Sequence, residues 1–239
     1  MIKLVIFDVW NTLLSLDDMH ELLALRLHSV VRDRAPDTLL DVVKAVHSEV
    51  KSLRIGNEAS PSEVLSESRK RLCDRLGITL RDFQRIHDDL LSEASRGELE
   101  HLVIDGAREV LSFVKELNLK TAVLGNVLLW DSTLTETILN TSGLGNFIDR
   151  YFFSDRLGHQ KPEFEAFMNV VRHFGLRAGE AVHVGDNVRE DFGGALVAGL
   201  KAVLISGKQD CCMIKSEEFA IIPEIKLLIP VINEWFRTR

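Results

Sequence analysis

One strand-like run stands alone at the start of this chain, and its isolation limits the possible folds more than any other feature. In "KLVIFDVWNTLL", residues 3 to 14, the apolar, β-prone centre Val5, Ile6 and Phe7 suits a strand buried on both faces of a parallel sheet, and it ends on a single carboxylate, Asp8. No second strand signal follows for a long way. From Leu16 to about Gly97, apolar residues recur at helical spacing, as in Leu22, Leu23, Leu25, Leu27 and Val30, then Leu39, Val42, Val43, Val46 and Val50. Four helices are predicted, punctuated by Pro36-Asp37, by Gly56-Asn57 with Ser60-Pro61 as N-cap and first-turn proline, and by Gly77 with Thr79.

After the turn signal Asp105-Gly106 the pattern changes to alternation. "AREVLSFVKELN" reads as a helix, "KTAVLGN" as a strand, "DSTLTETILNTSG" as a helix and "RYFFSD" as a short strand. "KPEFEAFMNVVRHFG" then reads as a helix opened by Pro162, "AVHVGDN" as a strand, "EDFGGALVAGL" as a helix, "KAVLIS" as a strand, and Pro223 to Phe236 as a closing helix. The two glycines in "DFGGALVAG" each lower helix propensity by roughly 1 kcal/mol against Ala, so close packing is expected to require them. Alternation of this kind makes right-handed βαβ units. The lone first strand needs those later strands as partners, so the helical stretch interrupts the sheet domain. The expected fold is α/β: a Rossmann-like parallel sheet core formed by residues 1–14 and 100–239, with an inserted four-helix cap domain at 15–99.

Composition excludes several classes of partner. At 239 residues, 46% hydrophobic and 27% charged, the chain has the balance of a globular protein that buries a substantial core. Its net charge of -7, with the signs interspersed, advertises no basic surface, so neither nucleic acid nor membrane is an expected partner. Cys73, Cys211 and Cys212 are too few and too poorly spaced for a disulfide framework or a zinc site and are read as reduced thiols. No run reaches the roughly 18 apolar residues of a membrane span and no leader pattern opens the sequence, so the cytoplasm is the expected location.

In an open parallel sheet, ligands bind outside the carboxyl ends of the strands. Three predicted strands end there in something chemically pointed: "VIFD" in Asp8, "AVLGN" in Gly125-Asn126 and "HVGD" in Asp186. A fourth runs into "DRLGHQKP", which carries Lys161. Carboxylates at this density suggest a hard cation, Mg²⁺, which binds through one or two carboxylates with water and substrate phosphate. Lys161 would neutralise a transferring phosphoryl group, and an Asp beside both can attack phosphorus.

On these residues the chain resembles the haloacid dehalogenase-like (HAD) hydrolases. "FDVWNTL" resembles the family's first motif, "AVLGN" its second, "QKP" its third and "VGDNVRED" its fourth, in the family's order, with the helical stretch where that family inserts its cap. The resemblance implies that Asp8 is the nucleophile and that Thr12 shapes its loop. It implies that Mg²⁺ is held by Asp8, the backbone carbonyl of Trp10 and Asp186, with Asp191 supporting, and that Lys161 orients Asp8 and the substrate. The implied activity is Mg²⁺-dependent hydrolysis of a small phosphorylated metabolite.

Two positions depart from the family's phosphatase pattern. Trp10 stands where those enzymes usually carry the Asp that serves as general acid and base, a role typically worth 10² to 10⁴-fold in rate. Gly125 stands where Ser or Thr usually bonds the phosphoryl oxygens, leaving Asn126 and the Gly125 backbone N–H to compensate. An aromatic at position 10 also resembles the family's 2-haloacid dehalogenases, but Gly125, Phe167 and the Gly185-Asp186 pair do not fit that branch. A third reading is a near-inactive scaffold with the same fold. Trp10 is expected to be a wall of the crevice that touches the cap. Glu190 is a rival to Asp191; His159 and His183 read as loop and core-strand residues; Arg54 reads equally as an anion contact or an exposed helix-end arginine. None of His159, His183 and Arg54 joins the catalytic set.

Overall fold

The computed structural model describes residues 1–56, 59–207 and 214–237. Cys211, Cys212 and Asn57 lie outside those residues; Cys73 is a buried free thiol. The sheet contains β1 (Leu4–Phe7), β2 (Lys120–Gly125), β3 (Arg150–Phe153), β4 (Ala181–Gly185), β5 (Lys201–Ile205), β6 (Ile214–Lys215) and β7 (Phe219–Ile222). Its strand order is β3-β2-β1-β4-β5-β7-β6, and every neighbouring pair is parallel except β6 with β7. The short β6–β7 pair was not anticipated in the sequence, where the polar Ser216, Glu217 and Glu218 break the apolar pattern into runs too short to read.

β1 sits between β2 and β4, with Phe7 in register with Val123 on one side and Val184 on the other. Its side chains alternate between two cores: Val5 and Phe7 join one, Leu4 and Ile6 the other. A strand with helices on both faces must be apolar throughout, which is why the run before Asp8 contains no polar residue. The register also brings the ends of β1, β2 and β4 to one edge.

Between β1 and β2 the chain forms α1 (Leu16–His28), α2 (Pro36–Ile55), α3 (Pro61–Leu76) and α4 (Leu80–Ser95), the four helices expected there. Ser60 with Glu63, and Thr79 with Asp82, make reciprocal capping boxes that start α3 and α4. The insertion is tied at its root: Ser15 N–H donates to Leu102 O at 2.8 Å and Ile104 N–H donates to Leu13 O at 3.0 Å. No helix among the described residues is long and apolar enough to cross a membrane.

The later helices are α5 (Ala107–Glu116), α6 (Ser132–Thr141), α7 (Ser154–Leu157), α8 (Phe164–His173), α9 (Gly194–Val197) and α10 (Leu228–Arg237). Three differ from expectation, the first being α7, which lies where the sequence reads as the end of a strand and the loop after it. Pro162 does not open α8 but lies in the turn before it, where Glu163 N–H donates to Gln160 O at 2.8 Å. The helix expected over "EDFGGALVAGL" begins instead as a wide π turn over Val188–Gly193 and becomes α-helical only from Gly194. The expected need for glycine holds at Gly194, where an added Cβ would stand 2.8 Å from Phe167 Cε2, so α9 can approach α8.

Candidate active site

Asp8 follows the last residue of β1, and its backbone N–H donates to Val184 O at 2.8 Å, which continues the pairing with β4 and fixes where the carboxylate emerges. Across the β4 end, Asp186 faces it. Asn11, at a left-handed φ of 60°, donates from Nδ2 to Asp186 Oδ2 at 3.1 Å and accepts from Leu16 N–H at 3.2 Å, linking the loop after β1 to both β4 and α1. Asp191 enters from the π turn. Its Oδ1 accepts from Lys161 Nζ at 2.6 Å and lies 2.9 Å from His183 Nε2, and its Oδ2 accepts from Asn187 N–H at 3.0 Å. Asp8, Asp186 and Asp191 each present an oxygen within 4.8 Å of the others.

Lys161 is only 2% exposed and donates to both Asp8 Oδ1 and Asp191 Oδ1 at 2.6 Å. Its loop is braced by Asn126, whose Oδ1 accepts from Lys161 N–H and whose Nδ2 donates to Lys161 O, each at 2.9 Å. Asn126 Nδ2 also reaches Glu190 Oε1 at 3.2 Å. Both ends of the Asn126 amide are therefore occupied by protein. Thr12 is fully buried, and its Oγ1 has no hydrogen-bond partner among the described residues. At Gly125 an added Cβ would lie 2.8 Å from Phe153 Cε1 and 2.9 Å from Cδ1, so the ring of Phe153 takes the volume that a Ser or Thr side chain would need.

Burial, opposed by the Lys161 ammonium and reinforced by Asp191 and Asp186, pushes Asp8 up to about 7. Burial works against the charge of Lys161, but Asp191 and Asp8 outweigh it and hold the ammonium above the usual lysine range. Burial would raise Asp191, yet Lys161 and His183 keep its carboxyl well below the ordinary range. Asp186 is raised by burial and by Asp191, against the Asn11 hydrogen bond. Lys161 thus balances one carboxylate, and the remaining negative charge faces one point, a donor set of hard oxygens suited to a divalent cation such as Mg²⁺.

Trp10 is half-buried and packs edge-on against Trp130, with ring centroids 5.1 Å apart. Trp130 is contributed by the loop after β2, and its place in the wall carried no sequence signal beyond its being aromatic. α2 adds His47, Lys51 and Arg54 to the lining. The cleft enclosed between them is about 60 Å³.

Arg54 is not an exposed helix-end residue. It is 6% exposed, donates to the Glu190 carboxylate from Nε at 2.7 Å and from Nη2 at 3.1 Å, and reaches Val127 O at 3.4 Å. His183 lies in β4 as expected, but its link to Asp191 makes it part of the site's support. His159 sits outside the cleft, 2.9 Å from Glu163. The spacing of His47, Lys51 and Arg54 at i, i+4 and i+7, beside the apolar stripe Val43, Val46 and Val50, was the available sequence signal for the α2 wall.

A family model described as haloacid dehalogenase-like hydrolase matches residues 2–199. A ribulose-1,5-bisphosphate 5-phosphatase of Halopiger xanaduensis is 29% identical over 111 residues, which is 46% of this chain and 45% of that protein. The chain spans about half the length of the curated relatives it matches. Among solved structures, the HAD-hydrolase YfnB from Bacillus subtilis bound to magnesium superposes with a TM-score of 0.74 at 22% identity, covering 97% of this chain and 99% of that one. The L-2-haloacid dehalogenase from Xanthobacter autotrophicus with chloropropionic acid covalently bound gives 0.69 at 17% identity, covering 98% and 99%. At these identities the likeness concerns the fold.

Proposed function

Because the chain belongs to the haloacid dehalogenase-like hydrolases, we propose that it hydrolyses a small phosphate ester through a phosphoryl group carried transiently on Asp8. The observation that carries this reading is the meeting of Asp8, Asp186 and Asp191 within 4.8 Å, with Lys161 bonded to two of them. In this reading the helices of 15–99 form a cap domain over a core of 1–14 and 100–239, and they exclude water and select the substrate.

Asp8 attacks phosphorus and the alcohol leaves; water then attacks the aspartyl-phosphate and returns the carboxylate. Lys161 holds Asp8 in position and offsets charge on the phosphoryl oxygens. Asp8, Asp186 and the Trp10 carbonyl, with Asp191 supporting, would hold Mg²⁺, which when bound would supply further neutralisation of those oxygens. Thr12 shapes the loop, and Asn126, whose amide braces the Lys161 backbone, lines the cleft. Trp10 and Trp130 form the apolar wall beside the leaving group.

Hydrolysis of a generic aryl phosphate tests the reading: turnover is expected only with Mg²⁺, to stop on EDTA addition, and to vanish in Asp8→Asn. EDTA-insensitive turnover overturns it. Trp10 favours a second reading, 2-haloacid dehalogenation, which predicts halide release without added metal.

A further inference from the structure

The reaction proposed above needs a proton donor for the departing alcohol and a base for the incoming water, and the indole of Trp10 can be neither. α1 and α2 bring together a pair of groups with no role in the mechanism so far. His47, on the cleft face of α2, has its Nδ1 3.2 Å from Nε2 of His20 on α1. His20 is 4% exposed, and its other nitrogen, Nδ1, is buried without a hydrogen-bond partner among the described residues. Two imidazoles in contact form a single hydrogen bond, so one ring must donate while the other accepts.

We propose that His47 is the general acid and base of this site, supplied from α2 in place of the missing carboxylate, and that His20 is its positioning residue. This rests on the phosphatase reading.

Geometry leaves His47 one free nitrogen. With Nδ1 given to His20, Nε2 is the nitrogen left for a ligand, and His47 lines the cleft that also contains Asp8 and Trp10. His20 is itself fixed from behind: its ring packs edge-on against Trp130 at 6.1 Å and against His47 at 4.9 Å, and Trp130 in turn holds Trp10. The aromatic at position 10 thus stands at one end of a packed row that ends on the imidazole taking over its lost function. With its Nδ1 unpartnered, the His20 ring makes its one side-chain hydrogen bond among the described residues to His47.

The proton balance closes over one turnover. As the Asp8 carboxylate oxygen bonds to phosphorus and the phosphorus–alkoxide bond breaks, protonated His47 gives its Nε2 proton to the alkoxide. Neutral His47 then takes a proton from water as the water oxygen bonds to phosphorus and the phosphorus–Asp8 bond breaks. Hydrogen phosphate leaves, and His47 is again protonated. Burial, with His20, Arg54 and Lys51, holds the His47 imidazole well below its ordinary range in the free protein, and the dianionic ester opposite it is what favours the imidazolium.

The test is leaving-group dependence in the full-length protein with Mg²⁺. An alkyl phosphate needs protonation of its alkoxide, whereas a nitrophenolate leaves without it. His47→Gln should lower kcat/KM for the alkyl phosphate by about 10²-fold or more and for p-nitrophenyl phosphate by less than about 5-fold. Phosphorylated Asp8 should accumulate during turnover of the latter. His20→Gln, which can still bond Nδ1 of His47, should keep the wild-type ratio between the two esters, and His20→Phe should lose it. An equal fall on both esters, as misfolding or weakened binding would give, overturns the proposal, as does no fall on either. If wild-type protein hydrolyses neither ester, the phosphatase reading itself fails; if it hydrolyses both and His47→Gln matches it, only the role of His47 fails.

Discussion

Nζ of Lys161 lies 2.6 Å from Oδ1 of Asp8, 153 positions away in sequence, in a pocket where the lysine is 2% exposed. The same nitrogen is 2.6 Å from Asp191. Removing it would leave two carboxylates facing each other away from water. Lys161→Met is therefore expected to lose about 3–5 kcal/mol of stability, the usual result of deleting one partner of a buried pair. Added Mg²⁺ should raise the melting temperature of this variant more than that of the wild type, because a cation bound only by the folded state stabilises it by mass action. Thermal melts with and without Mg²⁺ check both; a variant as stable as the wild type without metal contradicts the charge balance described here.

Gly125 and Phe153 compete for one volume. Gly125→Ser should cost about 1–3 kcal/mol by overpacking, since a Cβ there would meet the Phe153 ring at 2.8 Å. Combining it with Phe153→Leu should give a double variant more stable than the sum of the two single effects. A urea denaturation cycle measures this coupling, and strict additivity would show that the ring is not the obstacle.

Arg54 and Glu190 join α2 to the π turn with side chains 6% and 5% exposed. Arg54→Met leaves the Glu190 carboxylate with Asn126 and the more distant Lys51 at 3.7 Å. A loss of about 3–5 kcal/mol is expected, and adding Glu190→Gln should recover a large part of it. If the single change costs less than about 1 kcal/mol in urea titrations, water reaches this pair and the burial described here is wrong.

His20 makes stability depend on pH. Burial lowers it from 6.5 to about 4 in the folded protein, so the unfolded chain takes up the proton first as pH falls. The stabilisation from keeping this ring neutral is complete above about pH 6.5 and is lost as pH drops towards 4. Between pH 7.5 and pH 5 the expected loss is about 2 kcal/mol from this residue. His20→Gln should show a smaller drop in unfolding free energy over that interval; an unchanged drop would assign the proton uptake elsewhere.

Local pattern was enough for the α/β architecture, the four helices between β1 and β2, and the strand ends that carry Asp8, Asp186 and Lys161. Apolar periodicity and caps act over a few residues, and the loops at a parallel sheet's carboxyl edge converge whatever their sequence. What could not be read there depends on distant groups sharing space. Arg54 looked like an exposed helix end until Glu190 met it, Gly125 looked like a lost contact until Phe153 filled its place, and Asn126 is taken up by the Lys161 backbone. Burial, partner and charge state are properties of a neighbourhood, and for these residues the neighbours come from elements scores of positions away.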